Sequence, residues 1–178
     1  MQPLKMLTRL METLSDREHY LFSSSDLSAV LGGERQIALL LCRAVKAGVL
    51  KRVCRGIYLY PQADSSSGRI LFHTAARLRA EEFNYISLET ALCDAGVISQ
   101  VPMNWITCMS SGRSHVIDCG DLGHIEFVHT AQRPENVEVK YDAECHLWRA
   151  SVRQALRDMR ATRRNMDLVD REAPHELV

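Results

Sequence analysis

The amino-acid sequence predicts an α+β fold in two parts, and three features support this. Residues 23–60 contain two helical patterns separated by glycines and followed by a short hairpin pattern. The polar residues 61–68 carry Pro and Gly at their ends and have no periodicity. Beyond them, helical patterns precede short β-rich runs that favour a small, mostly antiparallel sheet. We therefore predict an N-terminal domain at residues 1–62 and a C-terminal domain at residues 69–178.

The N-terminal elements can be assigned in order. The first 14 residues have leucine and methionine at near-helical spacing and predict an amphipathic helix. Residues 20–22 favour a short strand that pairs with the later hairpin. Residues 26–31 form a short helical pattern, for which Ser25 is the expected N-cap, and Gly32-Gly33 ends it.

A second helix is predicted over residues 34–47. One apolar stripe faces a core and contains Ile37, Leu40, Leu41, Ala44 and Val45. The other faces carry Arg35, Gln36, Ala38, Leu39, Arg43 and Lys46. Gly48 ends the helix, and the β-rich residues 49–53 and 57–60 then flank a turn. Two helices followed by a hairpin are typical of a winged helix-turn-helix.

Charge indicates what this N-terminal domain binds. Residues 1–60 contain nine Lys or Arg against five Asp or Glu, a net charge of +4. Residues 61–140 have a net charge of −4, and residues 141–178 are balanced. Lys51, Arg52 and Arg55 lie on or beside the hairpin tip. Folding gives no reason for three cations there, whereas contact with the phosphate backbone of DNA does. We therefore predict binding to double-stranded DNA.

The second helix is expected to enter the major groove with its N-terminus first. Arg35 and Gln36 would then lie near base edges, since arginine suits guanine and glutamine suits adenine, while Arg43 and Lys46 would meet phosphates. The predicted DNA-binding residues are Ser24, Ser25, Arg35, Gln36, Arg43, Lys46, Lys51, Arg52 and Arg55. The alternative is a small helical domain with an ordinary solvated charged face.

The C-terminal domain begins with two helical patterns, over residues 69–83 and 88–95. Ser87 is the expected cap of the second one, and Glu89 in its first turn suits the helix dipole. Strands are predicted at residues 105–109, 115–118 and 124–129.

A last helix is predicted over residues 144–165, with a row of arginines along one face. The row contains Arg149, Arg153, Arg157, Arg160 and Arg164. It can be a solvated face whose arginine stems cover apolar surface, a contact for an acidic partner protein, or a second contact to the DNA backbone.

The remaining reactive side chains do not predict a metal or catalytic site. The six cysteines include no CxxC pair and are expected to be reduced thiols, with Cys42 in the core because leucines precede it. A zinc set is conceivable, but its spacing fits no common structural site; its members are Cys108, His115, Cys119 and His124. Two catalytic sets are also conceivable and lack any fixed geometry: Cys108 or Ser110 with His115, and Glu81 with Glu82 and Glu89. We expect no cofactor, no metal and no enzymatic activity.

Length and composition are those of a soluble globular protein of 178 residues, 46% of them hydrophobic. The longest apolar run, residues 37–42, is far too short to span a membrane, and the first residues lack a secretory pattern. We expect a cytoplasmic protein without a membrane partner.

Four passages resemble the AbiEi family of antitoxins from type IV, abortive-infection toxin–antitoxin systems. They are Phe22-Ser23-Ser24-Ser25-Asp26-Leu27, the run over residues 42–60, Tyr85-Ile86-Ser87-Leu88-Glu89-Thr90-Ala91-Leu92 with Gly96-Val97-Ile98, and Gly123-His124-Ile125-Glu126-Phe127-Val128-His129. The resemblance implies that the N-terminal domain binds inverted repeats in the promoter of its own operon and represses it. It also implies that the C-terminal domain counteracts a cognate AbiEii-type, nucleotidyltransferase-like toxin, without requiring the two proteins to touch.

A second function class remains open. The chain can be a stand-alone winged-helix repressor whose C-terminal domain binds an effector or dimerises. The gene of an antitoxin is expected beside a toxin gene, and the antitoxin rescues growth when that toxin is expressed. A pure repressor needs no neighbouring toxin gene and is not expected to rescue growth.

Overall fold

The computed structural model describes residues 3–31, 34–63, 68–99 and 104–169, with the backbone alone for residues 34–36. The chain divides into two compact units, Met1–Ile70 and Leu71–Val178. Helices and strands occur in both, which confirms the predicted α+β class. No helix in the described part of the chain is long and apolar enough to cross a membrane.

The described residues of the first unit form three helices and a three-stranded antiparallel sheet. Its elements are α1 (Pro3–Leu14), β1 (Leu21–Ser23), α2 (Ser24–Leu31), α3 (Glu34–Lys46), β2 (Lys51–Cys54) and β3 (Ile57–Leu59). The strand order is β1-β3-β2, so the first strand pairs with the hairpin as predicted. The helices pack on this sheet through a core of Leu7, Met11, Phe22, Leu27, Ile37, Leu41, Ala44, Leu50 and Tyr60.

The start of α2 differs from the prediction by two residues. The backbone N–H of Asp26 donates to Ser23 Oγ at 3.0 Å, and the N–H of Ser23 donates to Asp26 Oδ2 at 2.9 Å. This reciprocal pair is a capping box, with Asp in the place that Glu or Gln usually takes. The expectation that Ser25 is the N-cap is therefore wrong, because Ser23 holds that position and Ser25 lies inside the helix.

The second unit is built around a six-stranded mixed sheet. Its elements are α4 (Ile70–Leu78), β4 (Asn84–Ile86), α5 (Leu88–Asp94), β5 (Trp105–Ser110), β6 (His115–Asp118), β7 (His124–His129), β8 (Val139–Asp142), β9 (Leu147–Ala150) and α6 (Val152–Ala161). The strand order is β6-β7-β5-β4-β9-β8. The β5–β7 and β4–β9 pairs are parallel, and the other three pairs are antiparallel.

Two predicted helices in this unit are too long. The helix expected over residues 69–83 ends at Leu78, and β4 follows it. The helix expected over residues 144–165 is wrong in its first part, where Leu147–Ala150 forms β9 between β8 and β4. Helix α6 begins only after Ser151, whose Oγ accepts the N–H of Gln154 at 3.1 Å.

Candidate nucleic-acid interface

Helix α3 presents one face to the core and the opposite face to solvent. Ile37, Leu41 and Ala44 are buried at spacings of four and three residues, as the apolar stripe predicts. The exposed face carries Ala38, Leu39, Cys42, Arg43 and Lys46. Cys42 is therefore not a core residue, and its expected burial is wrong. The spacing of the apolar stripe already places position 42 on the exposed face. The expectation of burial came from the leucines that precede it and not from that spacing.

Arg35 and Gln36 occupy the first turn of α3, at the end expected to enter the groove. Their side chains lie outside the described residues, so their placement near base edges stays a prediction.

The wing is a tight hairpin with cations on its exposed surface. Cys54 pairs with Ile57, and Arg55-Gly56 forms the tip. Gly56 has a φ of +82°, a left-handed conformation that favours glycine. Lys51 and Arg55 are exposed. Arg52 is also exposed, but its Nε donates to the Cys54 carbonyl at 3.2 Å, which holds the side chain along the hairpin.

The N-terminus of α2 lies beside this wing tip. The backbone N–H of Ser24 donates to the Gly56 carbonyl at 2.9 Å, and a Cβ on Gly56 would lie 3.7 Å from Ser24 Oγ. Ser25 is exposed and exchanges a hydroxyl hydrogen bond of 2.8 Å with Ser23. Two predicted contact residues, Ser24 and Ser25, are thus brought to the same end of the unit as Arg55.

The cations of this surface are available to an anionic partner. Within the described part of the chain, none of Arg43, Lys46, Lys51 and Arg55 has an ion-pair partner. Together with the partial positive charge at the α2 N-terminus, they make this side of the unit attractive to phosphate. We call the exposed face of α3, the β2–β3 wing and the start of α2 the DNA-facing surface.

The arginines of the second unit are arranged differently. Arg149 lies on β9 and donates to Asp94 at 2.5 Å and to Asp142 at 2.9 Å. Arg164 lies beyond α6 and pairs with Glu89, at 3.3 Å, and with Glu126. Burial alone would lower the pKa of both guanidiniums, but their carboxylate partners raise it overall.

The three other arginines of the predicted row do lie on α6. Arg153 and Arg157 both approach Glu138, at 3.9 and 3.3 Å, and remain about half exposed. Arg160 is exposed. The row is therefore not one helical face, because Arg149 lies on a strand and Arg164 lies beyond the end of α6.

A buried carboxylate connects α6 to the Ser-Leu-Glu segment. Asp158 is fully buried and accepts four hydrogen bonds: from the Tyr85 hydroxyl at 3.1 Å, Ser87 Oγ at 2.7 Å, Gln132 Nε2 at 3.1 Å and Gln154 Nε2 at 2.9 Å. Burial, and then the charge of Asp158, raise the pKa of Tyr85, which keeps that hydroxyl a donor. Ser87 holds the N-cap position of α5 but makes no side-chain cap bond, so its expected capping role is wrong.

The conceivable catalytic sets are not assembled. Cys108 pairs with Phe127 on β7, and Phe127 pairs with His115 on β6, so two strand spacings, about 10 Å, separate Cys108 from His115. Burial also raises the pKa of Cys108 to about 12, which keeps it a thiol at neutral pH. Ser110 is buried and hydrogen-bonded to Glu82 and Arg79.

The glutamate set and the zinc set are not assembled either. Glu82 pairs with Arg79 and Glu89 with Arg164, so these carboxylates are neutralised by different arginines. Among the described residues, no three His, Cys, Asp or Glu side chains come together to hold a metal ion.

Comparison with known proteins supports the regulator interpretation. Residues 9–61 match the family described as a transcriptional regulator, AbiEi antitoxin. The matched segment runs from within α1 to the end of the wing and contains the whole DNA-facing surface. The AbiEi resemblance is therefore confirmed over these residues, and the match supports a DNA-binding regulator. No curated protein matches the chain.

Proposed function

We propose that this chain is the antitoxin of a type IV system. Its first unit binds inverted repeats in the double-stranded DNA of its own promoter and represses the operon. Its second unit counteracts a cognate AbiEii-type, nucleotidyltransferase-like toxin in the cytoplasm, and the chain itself catalyses no reaction. The observation that carries the DNA half is the DNA-facing surface, where exposed cations flank a helix of suitable size for the major groove.

In this proposal α3 lies in the major groove and the wing lies along the backbone. Arg35 and Gln36 read base edges from the first turn of the helix. Phosphates are contacted by Ser24, Ser25, Arg43, Lys46, Lys51, Arg52 and Arg55. Phosphate contacts set the register, and base contacts set the sequence preference.

The direct test is binding of the full chain to the duplex upstream of its own gene. Fluorescence anisotropy should give a much lower Kd for this duplex than for a random duplex of equal length, at two salt concentrations. Arg35→Ala and Gln36→Ala should each reduce that discrimination by about 1–3 kcal/mol if the two side chains read bases. Equal affinity for both duplexes would contradict the DNA half.

The antitoxin half rests on the resemblance and has its own test. Expression of the neighbouring toxin gene should stop growth, and expression of the full chain should restore it. The partner-binding candidates on α6 are the exposed Arg153, Arg157 and Arg160. Their combined replacement by alanine should weaken rescue while promoter binding persists. Arg149 and Arg164 would act through the fold that they hold together.

A stand-alone repressor with an effector-binding second unit is the other candidate. It is favoured by an open groove of about 600 Å³ along β8 and β9, lined by Tyr141, Asp142 and Arg149 among others. Promoter binding without any growth rescue, together with a small molecule that changes the promoter Kd, would favour this function.

A further inference from the structure

The middle of the exposed face of α3 is apolar, although its surroundings are charged. Leu39 is 56% exposed, and Ala38 and Cys42 beside it are exposed as well. On a helix of 3.6 residues per turn, positions 39 and 42 lie nearly opposite the buried stripe of Ile37, Leu41 and Ala44. The folded unit alone gives no reason for an apolar side chain at the most outward position of its helix.

The flanking charges indicate what covers this patch. Arg43 and Lys46 lie on the same exposed face, and Lys51 and Arg55 extend the positive surface along the wing. An apolar centre with a cationic rim complements the major groove, where phosphates line the edges and base edges form the floor. The groove floor offers one apolar group, the 5-methyl group of thymine.

We infer that Ala38, Leu39 and Cys42 form a contact surface for thymine methyl groups in the operator, and that Leu39 is its main specificity determinant. The inference rests on the proposed function, because it requires α3 to lie in the major groove. It adds a second kind of recognition to that of Arg35 and Gln36. Those residues would select by hydrogen bonds, whereas this patch selects by burial of a methyl group.

The inference is tested with a duplex that lacks only the methyl groups. The upstream duplex is prepared twice by amplification, once with thymidine and once with deoxyuridine nucleotides, and a random duplex is prepared in the same two forms. Removing each contacted methyl group should weaken binding about fourfold. The full chain should therefore bind the uracil form of its own promoter about 4- to 16-fold more weakly for one or two contacts, with little change for the random pair.

Variants separate side-chain contact from an effect of uracil on DNA shape. Leu39→Ala should lower the ratio of the uracil-form Kd to the thymine-form Kd more than any other single substitution in the patch, because the largest side chain that covers the methyl groups is gone. Leu14→Ala is the matched control, since Leu14 is also exposed, at 45%, but lies on α1. It should leave the ratio unchanged. Cys42→Ser should lower this ratio of Kd values less than Leu39→Ala does.

Each outcome decides between alternatives. Specific promoter binding with the same ratio in the unaltered chain and in Leu39→Ala overturns the inference and leaves the proposed function intact. A change in sedimentation of Leu39→Ala without a change in the ratio also overturns it, since the patch then joins two copies of the chain. Absence of specific promoter binding overturns the proposed function itself.

Discussion

The two units use their cations in opposite ways. In the first unit, Arg43, Lys46, Lys51 and Arg55 are exposed at the DNA-facing surface. In the second unit, four of the five arginines of the predicted row pair with carboxylates, and Arg164 joins Glu89 on α5 to Glu126 on β7. Regular spacing of cations therefore does not identify a binding surface. What distinguishes the two cases is whether the fold brings carboxylates to the cations.

The largest expected effect concerns the buried carboxylate of the second unit. Asp158→Asn should reduce the free energy of unfolding by about 3 kcal/mol, because an amide N–H₂ replaces an oxygen that accepts two of the four hydrogen bonds. Chemical denaturation followed by circular dichroism measures this. Asp121→Asn, at an exposed position, is the control and should change stability by less than about 0.5 kcal/mol. Unchanged stability with lost rescue would mean that Asp158 serves a partner and not the fold.

Removal of Arg164 should have the next largest effect. Arg164→Met keeps much of the apolar stem but leaves Glu89 and Glu126, which are 16% and 18% exposed, without their shared cation. We expect a loss of about 2–3 kcal/mol in the free energy of unfolding, somewhat below the range for fully buried pairs. Adding Glu89→Gln and Glu126→Gln should restore part of it. Arg160→Met, at an exposed position of α6, should cost far less.

Much of the first unit could be predicted because its signals are local. An apolar stripe of helical period, glycines at helix ends and a cationic hairpin determine α3 and the wing within short stretches of sequence. The exposure of Cys42 follows from the same stripe. The choice of Ser23 over Ser25 as the cap of α2 could not be predicted in this way. Three consecutive serines satisfy the same local rule, and the reciprocal bond with Asp26 decides between them.

The second unit depends on contacts that local patterns do not encode. Residues 147–150 continue the helical spacing of arginines, yet they form β9 because β8 and β4 supply strand partners on both sides. The hydroxyl of Ser87 could cap α5, yet it turns to Asp158, 71 positions later in the chain. The pairing of β4 with β9 and of β5 with β7 is parallel, which requires long connections and leaves no turn signal.

Single cations of the DNA-facing surface should have a moderate and uniform effect. Lys51→Ala or Arg55→Ala should weaken binding to promoter and random DNA alike and make the slope of log K against log salt shallower by about one. Binding isotherms at four salt concentrations measure both quantities. Arg153→Ala provides the matched control on the second unit and should leave the slope unchanged. If it lowers the slope as much as Arg55→Ala does, the second unit also contacts the DNA backbone, and the contrast between the two units is lost.

The smallest expected effect is a pH dependence at Asp142, which is 22% exposed. Burial raises the pKa of this carboxyl, but the hydrogen bond from Arg149 and the N–H of Cys145 lower it overall. A depressed pKa stabilises the fold above the unfolded value of about 3.9, and this contribution is lost as pH falls through the folded value. Asp142→Asn should therefore be about 1 kcal/mol less stable than the unaltered chain at pH 7. The difference should shrink as pH falls and should disappear once the folded carboxyl is also protonated, since both chains then carry a neutral group at this position. A difference that persists at low pH would mean that Arg149 is held mainly by Asp94 and that residue 142 matters for its shape, not its charge.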